Sequence, residues 1–248
     1  MRIDVLTLFP SMFAPMNESM MWKAQDRGLL EFHIHDIRTY STSAYRQVDD
    51  TPYGGGGGMV MKVDVVVKAV EDVRGDSNCP VIMMSPQGRV FSHAIALELS
   101  KLDRFILLCG HYEGFDERVR ELVITDEISI GDYVLTGGEL AAMVVIDAAV
   151  RQIPGVLGAE GGVETESHAD GLLEGSHYTR PLEFRGLTIP EVLRNGNHAE
   201  ILRWRRQESI RRTWKHRPDL LLTAPLSDED KYFLASLALE DVEKSVDK

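Results

Sequence analysis

Short apolar runs of strand length alternate with stretches of helical periodicity through the first two thirds of the chain. That pattern predicts an α/β fold on a mostly parallel sheet. The strand candidates are residues 2–9, 30–37, 80–85, 104–109 and a short run at 122–124, with helix candidates between them at 12–27, 63–73, 92–101 and 116–122. A fifth helix, over 138–151, is apolar almost all round: Leu140, Val144 and Ala148 share one side, and Ala141 and Val145 lie beside them. Such a helix needs cover on several faces, from its own domain or from a second subunit.

From Pro154 to Gly175 the periodicity fades into Gly, Glu, Ser and Thr, which reads as a mobile linker. After Pro181 helical spacing returns over 197–213 and 228–244, with a break at Pro218. The expected division is an α/β domain over 1–158, a linker over 159–175 and a small all-helical domain over 176–248.

Composition narrows the class. With 44% hydrophobic and 27% charged residues in 248, the chain is too apolar for intrinsic disorder. Its longest apolar stretch, Leu140 to Val150, is interrupted by Asp147 and falls short of the ~20 residues of a membrane helix. An acid at position 4 and Pro10 inside the first apolar run argue against a secretory signal, so a cytoplasmic location is expected. Cys79 and Cys109 have no CxxC spacing, and reduced, buried thiols are expected. His33 and His35 share a strand face without further ligands nearby, which predicts packing or surface histidines and no metal site.

The formal net charge of −12 excludes adhesion to nucleic acid through bulk charge. Local charge runs the other way between Arg194 and Arg217, where Arg203, Arg205, Arg206, Arg211, Arg212 and Lys215 are opposed only by Glu200 and Glu208. Such an island suits contact with the phosphates of a polyanion, and Arg205 and Arg212 fall on one helix face at i, i+7.

Glycine-rich turns occur at Gly54–Gly58, around Gly110–Gly114 and from Gly131 to Gly138. The last two follow apolar runs, where an α/β sheet places its ligand crevice. A Rossmann fingerprint is excluded because Met59 and Val60 stand where its third glycine is needed, and no GK[ST] follows a glycine.

The order of motifs closely resembles the bacterial tRNA (guanine-N1)-methyltransferase family. The segments are Asp49-Asp50-Thr51-Pro52-Tyr53-Gly54, Ser85-Pro86-Gln87-Gly88-Arg89, Gly110-His111-Tyr112-Glu113-Gly114, the long run from Glu127 to Glu139, Arg151 to Gly158, His177-Tyr178-Thr179-Arg180-Pro181, and Trp204 to Leu221. The resemblance implies a SPOUT fold with a trefoil-type α/β knot, a homodimer, S-adenosylmethionine as methyl donor, and N1 of the guanosine 3′-adjacent to the tRNA anticodon (position 37) as acceptor. By resemblance the donor would be held by Met83, Met84, Ser85 and Pro86, by Gly110, Tyr112 and Glu113, and by Ser129, Ile130, Gly131, Tyr133, Leu135, Gly137 and Gly138. Arg151 matches the arginine placed near the target base. The catalytic aspartate of the family falls at Glu166, with Asp170 in reserve. Asp49 and Asp50 would help hold the base, and Arg180 joins Arg205 and Arg212 as an expected nucleic-acid contact. Gly57 replaces a proline usual in the first glycine-rich loop. Dependence on Mg²⁺ is suggested by the family alone. The alternative readings are a SPOUT enzyme methylating a ribose 2′-hydroxyl, or a non-catalytic RNA-binding module.

Overall fold

A computed structural model describes residues 1–158 and 165–246. The chain divides into two compact units, Met1–Gly158 and Ala159–Lys248.

The first unit is built on five parallel strands: β1 (Arg2–Thr7), β2 (Glu31–Asp36), β5 (Val81–Val90), β6 (Arg104–Leu108) and β7 (Asp126–Ser129), in the order β2-β1-β6-β5-β7. A two-residue pair, β3 (Asp49–Asp50) with β4 (Val60–Met61), stands apart as a small antiparallel hairpin. Strand alternation explains the layering. Ile3, Val5, Ile82, Met84, Phe105 and Leu107 face one apolar cluster, and Leu6, Val81, Met83, Ile106 and Leu108 face the other. The first cluster is covered by α1 (Ser19–Asp26), α3 (His93–Ser100) and α5 (Glu139–Val150). The second is covered by α2 (Val63–Arg74) and α4 (Arg118–Val123).

Three expectations for this unit need correction. The helix expected over 12–27 is a 3₁₀ segment, Pro10–Asn17, followed by α1, because Pro15 lacks the N–H an α-helix needs there. The strand expected at 122–124 is the end of α4: Val119 and Val123, one helical turn apart, are buried while Leu122 is exposed, and the strand lies four residues later around Ile128. The strand expected to end at Ser85 resumes at Arg89. Met84 and Arg89 both pair with Ile128, so residues 85–88 loop out of the ladder.

At the foot of β1 the fully buried Asp4 carboxylate is held by Arg2, Arg104 and His35 at 2.8–2.9 Å. Burial alone would raise its pKa. Hydrogen bonds from His35, Arg2 and Arg104 outweigh that and hold it well below the usual carboxylate range.

The second unit contains α6 (His198–His216) and α7 (Asp228–Val246), which meet around the buried Leu172, Ile210 and Leu237. It is not all-helical, since β8 (Glu183–Phe184) and β9 (Leu187–Thr188) form a short hairpin. Nor is the whole of 159–175 a tether. Residues 159–164 lie outside the described residues, but Leu172 is fully buried and the Leu173 N–H donates to Thr213 Oγ1 on α6 at 2.9 Å. No helix among the described residues is long and apolar enough to cross a membrane.

Candidate active site

The strands β6, β5 and β7 are neighbours, so the segments leaving their C-terminal ends are brought together. They enclose a cavity of about 400 Å³, within the range of roughly 300–1,000 Å³ usual for small-molecule sites. Met83 to Pro86, Gly110, Tyr112, Glu113, Ser129 to Gly131, Tyr133, Leu135, Gly137 and Gly138 all line it. Every residue that the resemblance placed around a methyl donor therefore faces one space.

Two glycines are sterically required there. The Gly138 N–H donates to the Gly110 carbonyl at 3.0 Å, and a Cβ on Gly138 would sit 2.8 Å from the Cys109 Cα. A Cβ on Gly137 would overlap the His111 ring. At the rim, Tyr112 holds φ at +60°, a left-handed conformation that costs a non-glycine residue roughly 1–2 kcal/mol.

Of the charged wall, only Glu113 was expected from the motifs. Arg120, the one arginine or lysine facing the cavity among the described residues, is gripped by Glu127 (3.0 Å) and Glu117 (2.6 Å). Burial lowers its pKa, and the hydrogen bonds and charges of those two carboxylates more than compensate. His111 also lines the space, and its Nε2 lies 2.8 Å from the fully buried Glu139 carboxylate, whose other oxygen accepts from Thr7 Oγ1 at 2.6 Å. The signal for this pair was present in the sequence: a histidine directly after Gly110 and a glutamate directly after Gly137-Gly138. Burial and the Glu139 charge together push the Cys109 thiol well above its ordinary pKa.

The remaining candidates are spread over both units. Asp49 and Asp50 sit on the β3–β4 hairpin, where Asp50 Oδ1 accepts from the Thr51 N–H at 2.8 Å. Arg151 caps the C-terminus of α5, its N–H donating to the Asp147 carbonyl at 3.2 Å. Glu166 and Asp170 belong to the second unit. The Glu166 carbonyl accepts from the Ala169 N–H at 3.1 Å, and the Asp170 carboxylate pairs with Arg206 and accepts from the Leu172 N–H.

The basic island is partly neutralised by acids, most of them distant in sequence. Arg206 pairs with Asp170 and Asp230, Arg203 with Glu229, and Arg217 with Asp219. Arg180, Arg205 and Arg212 are exposed. Among the described residues no acidic group pairs with Arg205 or Arg212.

Comparison with known proteins decides the family. Residues 1–223 match the family model described as tRNA (Guanine-1)-methyltransferase TrmD. The chain belongs to that family. Curated relatives named tRNA (guanine-N(1)-)-methyltransferase include one from Dehalococcoides mccartyi, 56% identical over 244 residues (97% of this chain and 98% of the relative). A relative from Geobacter metallireducens is 53% identical over 239 residues (96% and 98%). Another from Moorella thermoacetica is 53% identical over 249 residues (99% and 100%). Membership of a methyltransferase family implies S-adenosylmethionine as donor, and the cavity fits that molecule. Met84, Ile130 and Leu135 offer apolar walls for adenine, Glu113 and Glu117 offer negative charge for its ammonium, and Arg120 is a cation for its carboxylate. Among the described residues no group of three or more His, Cys, Asp or Glu is placed to hold a metal ion, and nothing in the cavity adds support to the Mg²⁺ suggested by the family.

Proposed function

We propose that this chain methylates N1 of the guanosine 3′-adjacent to the anticodon of tRNA, using S-adenosylmethionine. The observation that carries the reading is the convergence of the three family motifs on one cavity at the ends of adjacent parallel strands. The bound donor supplies an electrophilic methyl group on a sulfonium. The acceptor N1 must lose its proton while negative charge grows on O6, so a base and a nearby cation are required.

In this reading Glu166 takes the N1 proton, and Arg151 stabilises O6. Asp170, the reserve candidate, pairs with Arg206 and accepts from the Leu172 N–H. Glutamate is one methylene longer than the family aspartate and reaches the same proton after a backbone adjustment. Asp49 and Asp50 help hold the base. Arg180, Arg205 and Arg212 contact phosphates, since they are exposed cations in an acidic chain.

Three further properties belong to the same proposal. A knot is supported by the tight passage of Gly138 against Cys109 and Gly110. A homodimer is supported by Leu140 and Val144, large apolar residues about half exposed one turn apart on α5. Cytoplasmic action follows from a tRNA substrate.

The test is incubation of unmodified tRNA with the protein and S-adenosylmethionine, followed by mass analysis of the nucleosides. The expected product is 1-methylguanosine, lost when the target guanosine is replaced. A 2′-O-methylated nucleoside, or tRNA binding without transfer, would overturn the proposal.

A further inference from the structure

Beside the cavity lies a polar network buried in an apolar core, and nothing in the proposed chemistry uses it. Glu139 opens α5 and is fully buried, yet both carboxylate oxygens are satisfied: Oε1 by the Thr7 hydroxyl at 2.6 Å and Oε2 by His111 Nε2 at 2.8 Å. Thr7, also fully buried, accepts from the Phe9 N–H at 2.9 Å, so its own proton is directed to Glu139. Phe9 packs on the His111 ring with centroids 4.6 Å apart. Three separate stretches of chain thus meet at one carboxylate: the end of β1, the segment after β6, and the Gly137-Gly138 turn that leads into α5.

A carboxylate excluded from water is costly unless it is hydrogen-bonded and paired, so the network resists separation of its parts. Two walls of the cavity hang on it. His111 lies between Gly110 and Tyr112, and Glu139 directly follows Gly138. Beyond the Gly138–Gly110 backbone bond, the His111–Glu139 pair is the side-chain tie between those walls. An ionised carboxylate only accepts, so Nε2 must carry a proton, and the imidazole is held as the Nε2–H tautomer or as imidazolium.

We propose that Glu139 is a positioning residue that acts through His111. The buried Thr7–Glu139–His111 network latches the segment 110–114 to the turn 137–138 and so sets the aperture of the donor cavity. This inference rests on the proposed binding of S-adenosylmethionine in that cavity. The absence of a side chain at Gly137 belongs to the same device, since a Cβ there would strike both the His111 ring and, at 2.6 Å, the Glu139 carboxylate.

The expected consequence is specific. Glu139→Gln keeps the shape but offers only one acceptor oxygen, so it cannot accept from both Thr7 and His111 and the charge of the pair is lost. His111→Gln removes the ring while leaving a donor. Both variants should raise the dissociation constant and the KM for S-adenosylmethionine by about 10-fold or more, the scale of a hydrogen bond to a charged group. Single-turnover methylation at saturating donor, and tRNA affinity, should stay within about threefold of wild type. A merely structural role would lower tRNA binding and donor binding together.

Because Glu139→Gln could fail to fold, the wild-type full chain supplies an independent reading. Its ¹⁵N-labelled histidine spectrum should show His111 protonated on Nε2, and a neutral ring protonated only on Nδ1 would overturn the latch. Wild-type protein that takes up no S-adenosylmethionine by calorimetry would overturn the cofactor reading and its latch. Wild-type binding with unaltered affinity in His111→Gln would overturn the latch alone.

Discussion

In the unit Met1–Gly158 a five-stranded sheet is sandwiched between two buried apolar clusters, whereas in Ala159–Lys248 the described apolar centre is Leu172, Ile210 and Leu237 with partly exposed neighbours. Charge is used differently too. The first unit buries whole carboxylates, Asp4 among Arg2, Arg104 and His35, and Glu139 between Thr7 and His111. The second relies on pairs such as those of Arg206, which joins the partly exposed Asp170 to the buried Asp230. A thick core fixes backbone positions closely enough to preform a cavity. A thin core leaves order to polar contacts that a bound polyanion can compete for. The division suits a donor that is small and always the same, opposed to an acceptor that is large and arrives with its own charges.

Breaking one carboxylate in each unit should expose the contrast. Asp4→Asn leaves Arg2 and Arg104 facing a neutral amide and should lower unfolding free energy in urea by about 3–5 kcal/mol. Asp170→Asn should cost about 1 kcal/mol or less, because the pair is half exposed and Arg206 retains Asp230. The sign with pH follows from the depressed Asp4 pKa. Its contribution is fully present above about pH 4 and is lost as the pH falls through its folded-state value. Equal losses in the two variants would erase the distinction. The smallest effect is expected on the exposed surface: Arg205→Ala should weaken tRNA binding and reduce the slope of log affinity against log salt by roughly one phosphate contact, while donor binding stays as it is. An unchanged slope would remove Arg205 from the interface.

Much of the first unit was legible in the sequence because its signals are local. Alternation in Ile3-Asp4-Val5-Leu6 and the all-apolar face of α5 mark their own structure, and the glycines after β6 and β7 mark the close approach that builds the cavity. Errors came where the decisive contact is distant. Val119 to Val123 is an apolar run whether helical or extended, and only packing against α2 in the second cluster settles it. Leu172 and Leu173 are a lone apolar pair in polar surroundings, and only packing against Ile210 of α6 and Leu237 of α7 buries Leu172. The island from Arg194 to Arg217 looked uniformly available, yet Arg203, Arg206 and Arg217 are matched by acids supplied mostly from other elements. Buried partners of a cavity residue leave no periodic trace, which is why Glu139 and Thr7, 132 positions apart, escaped notice.

The most direct test of the division of labour is Glu166→Gln, with S-adenosylmethionine affinity and single-turnover methylation of tRNA measured on the same preparation. The account predicts unchanged donor affinity with methylation reduced by roughly 10²–10⁴-fold, the scale of a lost general base, and it predicts that Asp170→Asn keeps substantial activity. Near wild-type methylation by Glu166→Gln, together with an inactive Asp170→Asn, would contradict it and move the base to Asp170.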